Sequence, residues 1–536
     1  MTRTPILGAG IAVALIATPA FADDHNRQKS ISPYIEIGQV LTSDLQTGDV
    51  LTYSTVAAGV DASIQTRRTQ VQVSYRYERR ISWSKKVGDD DVHSGLARAA
   101  VSVAPGFTVE GGALATRSRS DIRGAAPGIL TGNVDNISQV YSAYVGPTFA
   151  THAGPIAVNA SYRFGYTKVE APGATGVAPG SPQLDSFDHS TSHVAQVSAG
   201  VKAGTVLPVG VTVSGAYERE NASQLAQRYE GKYARGDVVL PVAPTLALTA
   251  GAGYEKITVS QKDALVDGGG NPVVDAKGRF VTDQASPRRI AYQTDGLIYD
   301  AGVIWRPSPR TTLQARAGKR YGGMTYTGSL SYAASQSVGV QIGVYDSVDT
   351  FGRQLRDGIA GLPTSFIDQR DAFGQQFSGC TYGTSGGAAG GCLNGVFQSI
   401  STAAYRARGV DAVIAANRGR MQFGFGAGYA NRRFYTPTGG TGYVMNGLTD
   451  ESYYGQAFLS DSFTRNSGIS GDVFANYYKS GIPGSEGILS VGATGEYYHN
   501  FGRLGTTASV GVYHMSQPSA DDQLSGTAEL GMRYQF

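Results

Sequence analysis

The sequence predicts an all-β fold, a transmembrane antiparallel up-and-down β-barrel of about 22 strands within a range of roughly 18 to 22. Three observations predict it. From Pro33 to Phe536 the chain breaks into stretches of about 9 to 13 residues in which polar and apolar side chains alternate, the length a tilted strand needs to cross a bilayer. The composition is rich in glycine (72) and tyrosine (31, against 2 tryptophans), with 16% charged residues, which is too polar for a helical membrane protein. The connections between stretches are of two kinds, tight and long, and the kinds alternate.

The elements follow in order. Arg3, an apolar run from Ile6 to Ala20 and the small-x-small sequence Ala20-Phe21-Ala22 read as a secretory signal peptide over 1–22, cleaved after Ala22. The run is too short for a spanning helix. Residues 23–32 read as a short periplasmic segment, leaving no room for an N-terminal plug domain before a barrel over 33–536. Without Arg3 the 45 Lys and Arg become 44, against 42 Asp and Glu, so the near-neutral chain gives no argument for nucleic acid.

Val71, Val73, Tyr75 and Tyr77 alternate with Gln70, Gln72, Ser74, Arg76 and Glu78, and the same period recurs at Ile156–Tyr166 and Leu246–Tyr254. Tight turns carry the Pro, Gly and Asn that reversals require, as at Ala104-Pro105-Gly106, Ala153-Gly154-Pro155 and Asn500-Phe501-Gly502. Between them lie long polar links at 118–135, 168–190, 259–287, 350–400 and 436–451. Short periplasmic turns and long extracellular loops are the bacterial barrel arrangement. A first strand rising from Pro33 and a last descending to Phe536 require an even count. Reading 311–349 as three strands keeps every short turn periplasmic. Tyr75, Tyr77, Phe164, Tyr166, Tyr217 and Tyr254 gather near the outer ends of strands, as an interfacial girdle would. A soluble β-solenoid fits poorly, because the loops are uneven and no repeat period is fixed.

The final strand places Leu524, Ala528, Leu530, Met532, Tyr534 and Phe536 on one face and polar residues on the other. Leu530, Met532, Tyr534 and the terminal Phe536 resemble the C-terminal signal read by the barrel-assembly machinery of Gram-negative outer membranes. That likeness implies outer-membrane lipid and this machinery as partners.

Inward positions carry both signs of charge. Arg76, Arg163, Arg316, Arg320, Glu529 and Arg533 are the pore-lining candidates: in a channel they set solute preference, and in a closed barrel they pair across the wall or with an inserted loop. Cys380 and Cys392, the two cysteines, lie in the longest link and read as a disulfide in an oxidising compartment. A stiffened surface loop is the simpler reading of that staple, and a loop folded inward to narrow the pore is its functional alternative. His189 and His193 lack the partners of a metal site, and Asp185 with Asp188 reads as loop solvation. No Gly-x-Ser-x-Gly motif accompanies the histidines, so no catalytic residue, metal or cofactor is expected and a rim hydrolase is the least favoured reading.

The run from Ile304-Trp305-Arg306-Pro307 through Gly318-Lys319-Arg320-Tyr321-Gly322-Gly323 to Thr325–Tyr332, with Val344–Thr350 and Ser32-Pro33-Tyr34, resembles the β-barrel porins associated with exosortase (PEP-CTERM) systems. The resemblance implies an outer-membrane barrel linked to exopolysaccharide or surface-protein systems, with exopolysaccharide or its export components as partners and no catalytic residues. The expected function is a loop-constricted porin-like channel or export conduit, with a non-conducting surface scaffold or binding barrel as the alternative.

Overall fold

The computed structural model describes residues 28–46, 48–83, 88–121, 136–171, 184–367, 373, 379–398, 400–439, 445–517 and 522–536. The signal peptide expected over 1–22 lies outside the described residues.

Alternation of side chains makes strands, and the strands run longer than the sequence pattern delimits. The first part of the wall comprises β1 (Gln28–Asp44), β2 (Val50–Gln65), β3 (Thr69–Ser82), β4 (Asp90–Ala104), β5 (Phe107–Arg119), β6 (Ile137–Ala153), β7 (Ile156–Glu170) and β8 (His189–Val201). It continues through β9 (Gly210–Ala222), β10 (Arg228–Ala243), β11 (Leu246–Gln261), β12 (Arg289–Ser308), β13 (Thr311–Arg320), β14 (Gly323–Ala333) and β15 (Val338–Asp349). Helix α1 (Phe351–Gly361) and a small hairpin, β16 (Cys380–Ser385) and β17 (Ala388–Cys392), interrupt it. The wall resumes with β18 (Ala404–Arg418), β19 (Met421–Tyr435), β20 (Thr449–Asp461), β21 (Ser467–Lys479), β22 (Gly487–Phe501), β23 (Leu504–Ser516) and β24 (Gln523–Gln535).

Excluding the β16–β17 hairpin, these strands form one 22-stranded antiparallel sheet. Neighbours in sequence pair, β15 pairs with β18, and β1 closes on β24 from Tyr34↔Gln535 to Asp44↔Ser525. Closure leaves no sheet edge, the condition for a β-structure in hydrocarbon. The outer face is apolar: Leu530 is 70% exposed, and Met532, Tyr534 and Phe536 share its side of β24. Tyr75, Tyr166, Tyr217 and Tyr254 are likewise exposed, as the girdle reading requires.

Three details differ from the sequence reading. β1 begins at Gln28 rather than Pro33, because β2 is long enough to pair Gln28 with Gln65. Residues 311–349 are three strands as expected. The link between the first two of them, however, is a two-residue turn on the long-loop end, so not every short turn lies at the other end. Its residues Tyr321 and Gly322 have φ of 54° and 74°, the left-handed pair that a tight primed hairpin turn needs. The third difference is the longest link, which is no surface loop.

Candidate functional site, a plugged lumen

The described residues of the segment between β15 and β18 lie in the barrel interior and reach both of its ends. Phe351, Leu355 and Ile359 recur at intervals of four, one face of a helix, and all three are fully buried. They pack with Leu96, Leu114, Val140 and Tyr144 of β4, β5 and β6. Glycines in the wall make room: a side chain at Gly165 on β7 would press into the Arg356 stem, which is 2.7 Å from where its Cβ would stand. Arg98 on β4 donates to the Ala360 and Leu362 carbonyls (3.1 and 3.2 Å), placing a cation at the negative end of the helix.

Below the helix the chain meets the short-turn end. Gln72 of β3 holds one residue at both of its backbone polar groups, donating to the Phe366 carbonyl at 2.7 Å and accepting from its N–H at 2.9 Å. Gln65 and Gln70 bond Ser365 and Thr364. The β16–β17 hairpin then crosses to the opposite wall. Its tip residue Gly386 donates to the Gln336 carbonyl (2.8 Å) in the short turn between β14 and β15. Cys380 and Cys392 face each other across the hairpin and are disulfide-bonded. They sit against Gly426 of β19, where any side chain would collide with the Cys380 sulfur. Tyr382 stacks at 4.8 Å on Phe458 of β20. The inward alternative for the stapled loop is therefore the observed one. Its apolar residues are buried against apolar wall residues while Arg98 and Gln72 of the wall bond its backbone.

The charged candidates on the wall are engaged. Arg76 pairs with Glu36 (2.8 Å) and Glu78, and Arg163 with Glu110 (2.7 Å). Arg316 pairs with Asp237 and Asp300 (2.8 and 3.1 Å), Arg320 with Glu255, and Arg533 with Asp61 (2.9 Å). Glu529 is buried beside Gly38 on the inner face. The plug joins the network through Arg353, 1% exposed, which pairs with Glu218 of β9 and with Asp349 and lies 3.6 Å from the Tyr229 ring centroid. Arg353 and Arg98 escaped the sequence reading, and Gln72 entered it only as part of the alternation in β3. The 351/355/359 spacing, a helical period in a largely dyad chain, was the signal that could have found the plug.

The long-loop end is latched. Asp185 is not solvated as expected: it accepts hydrogen bonds from Gln224 (2.6 Å) and the Phe280 N–H (3.0 Å) between loops, and burial pushes its carboxyl up to about 7. Arg279 donates to Asp188 at 2.7 Å. Ser186 bridges Ser401 at the plug's exit. His189 contacts Asp188 and His193 contacts Tyr162, so the two histidines do not share a site. Among the described residues no cluster of three or more metal-ligating side chains occurs.

No family model matches the chain, and no curated protein does. Solved structures similar to it include receptors and an iron transporter. The ferric-catecholate import receptor Fiu of E. coli in its open form is 9% identical with a TM-score of 0.42, over 94% of this chain and 81% of that one. The siderophore receptor PiuA of Acinetobacter baumannii is 8% identical (TM-score 0.44, 94% and 82%), and the FrpB iron transporter of Neisseria meningitidis 10% identical (0.41, 94% and 82%). At these values the likeness carries no functional argument. The barrel rests on this chain's own strand pairing.

Proposed function

We propose that this protein is an outer-membrane conduit whose lumen is held shut by a plug built from its own chain between β15 and β18. One observation carries the reading: the segment runs from the Arg353–Glu218 pair at one end to the short-turn end, where Gln72 of β3 and the Gln336 carbonyl beside β15 fasten it to opposite walls. A wall of paired charges behind a removable insert suits a gated porin-like or export barrel better than an open diffusion pore. The resemblance to exosortase-associated porins extends the reading to exopolysaccharide or surface-protein systems, with β24 as the element the barrel-assembly machinery would read.

Single-channel recording on residues 23–536 in planar bilayers tests it. The intact barrel is expected to be silent, and deletion of 363–395 to produce large steady currents. Brief openings on reduction of Cys380–Cys392 are expected to be intermediate. Large steady current from the intact oxidised protein would overturn the plug as a barrier. Silence of a folded deletion variant would favour the non-conducting surface barrel.

A further inference from the structure

The wall is incompletely zipped at the upper β14–β15 joint, as it also is between β4 and β5 above Gly95↔Ala115. β14 and β15 pair from Ala333↔Gly339 up to Gly328↔Val344, and there the pairing stops, although β14 continues to Gly323 and β15 to Asp349. Continued in register, Met324 would stand opposite Val348. The carbonyls of those two residues are instead held by guanidinium groups. Arg406 of β18 reaches past β15 to donate to the Met324 carbonyl at 2.9 Å, with Arg408 at 3.3 Å. Arg353 of the plug donates to the Val348 carbonyl at 3.0 Å. Arg406 and Arg408 share Asp346, leaving one positive charge in surplus at the lips.

Outside the seam the surface is apolar, with Met324 54% and Tyr326 59% exposed on the membrane face of β14. Immediately inside lies a buried cluster of Tyr229, Ile257, Val259, Tyr321, Val348 and Ala404. Apolar surface outside and an apolar cluster inside, with guanidiniums suited to bidentate phosphate contact between them, match an acyl-chain lipid with an anionic phosphate headgroup. We propose that the upper β14–β15 seam is a lateral lipid site. The acyl chain enters between the lips onto the Tyr321 cluster, and the phosphate replaces Asp346 and the Met324 carbonyl as the partner of Arg406 and Arg408. Because Arg353 bonds one lip and is also the plug's buried cation, occupancy of the seam and seating of the plug are coupled. The site rests on the membrane placement of the barrel and requires no ion conduction.

The test reconstitutes the full mature chain in vesicles containing phosphatidylglycerol with a diazirine-bearing acyl chain, with the equivalent phosphatidylcholine as the comparison, and maps adducts by mass spectrometry. Adducts at Tyr321 and Val348 are expected beside those at Tyr326, stronger with phosphatidylglycerol. In Arg406→Ala the inner adducts are expected to fall about tenfold relative to the outer ones, the factor that loss of a charge-assisted hydrogen bond implies. Bridging Thr325→Cys to Ser347→Cys with a short bismaleimide, which leaves Arg406 and Asp346 in place, is expected to abolish the inner adducts. Adducts confined to Tyr326 in wild type and Arg406→Ala, or inner adducts that survive the bridge, would overturn the lipid site. Equal inner labelling by both lipids would overturn the phosphate's role. Absence of labelling even at Tyr326 would instead remove the membrane reading on which the site stands.

Discussion

Two joints in the wall make an instructive pair. β1 and β24, at opposite ends of the chain, are matched residue for residue from Tyr34↔Gln535 to Asp44↔Ser525, and Thr42 and Thr527 bond across them at 3.1 Å. β14 and β15, joined by a four-residue turn over 334–337, part above Gly328↔Val344. Nearness in sequence lowers the entropic cost of pairing, so the second joint should be the tighter. It is not, because the chain turns inward at Thr350 and the plug's first turn takes the Val348 carbonyl and Asp349 carboxylate for itself. Completeness of pairing here is decided by what the strand end must do next.

The contrast can be broken experimentally. Arg353→Ala removes a buried cation from Glu218 and Asp349 and should cost about 3 to 5 kcal/mol, since both acids are left buried without it. Urea unfolding of the refolded barrel in micelles would show this as a lowered midpoint. Leu355→Ala opens a cavity among Leu96, Leu114 and Val140 and should cost about 3 kcal/mol by the same assay. Gln72→Ala removes the hydrogen bonds that Gln72 makes to the Phe366 N–H and carbonyl, for about 2 kcal/mol, and hydrogen exchange at Phe366 should accelerate without change in the outer strands.

The latch at the long-loop end adds a pH dependence. Burial raises the Asp185 carboxyl from its ordinary 3.8 to about 7, so the folded latch holds the proton more tightly than the unfolded chain. Its contribution is therefore greatest at acid pH, falls as pH rises from about 4 through 7 and levels off above that. Protease nicking within 262–288 should quicken across this window, and Asp185→Asn should flatten the profile. An unchanged profile in that variant would assign the dependence elsewhere. At the smallest end, Thr527→Val in the complete joint should shift stability by only about 1 kcal/mol. A shift there as large as that of Arg353→Ala would mean that the closure, not the plug contact, is the stressed joint.

What was legible in the sequence was everything with a local period. Dyad alternation gave the 22 wall strands, including the three within 311–349, and the face of β24 that carries Leu530 and Tyr534. The positions of the inward charges were legible for the same reason. Their partners were not: Arg316 meets Asp237 from three strands away, and Arg353 meets Glu218 across the lumen. Pairing of that kind depends on barrel tilt and on what fills the interior, and neither leaves a mark at fixed spacing.

The longest link shows the division most sharply. Its cysteines were readable as a staple because two such residues in one loop have few alternatives, but whether the loop faced water or the lumen was open. That choice belonged to the tertiary structure, because Gly165, Gly426 and Gln72 acquire meaning only when strands far apart in the chain curve round to face the same helix and hairpin. The sequence by itself determined a closed wall through the two-residue period of a strand. The folded barrel decided that the wall encloses a plug, and that one seam is left to arginines, because those outcomes are set by contacts among residues hundreds of positions apart.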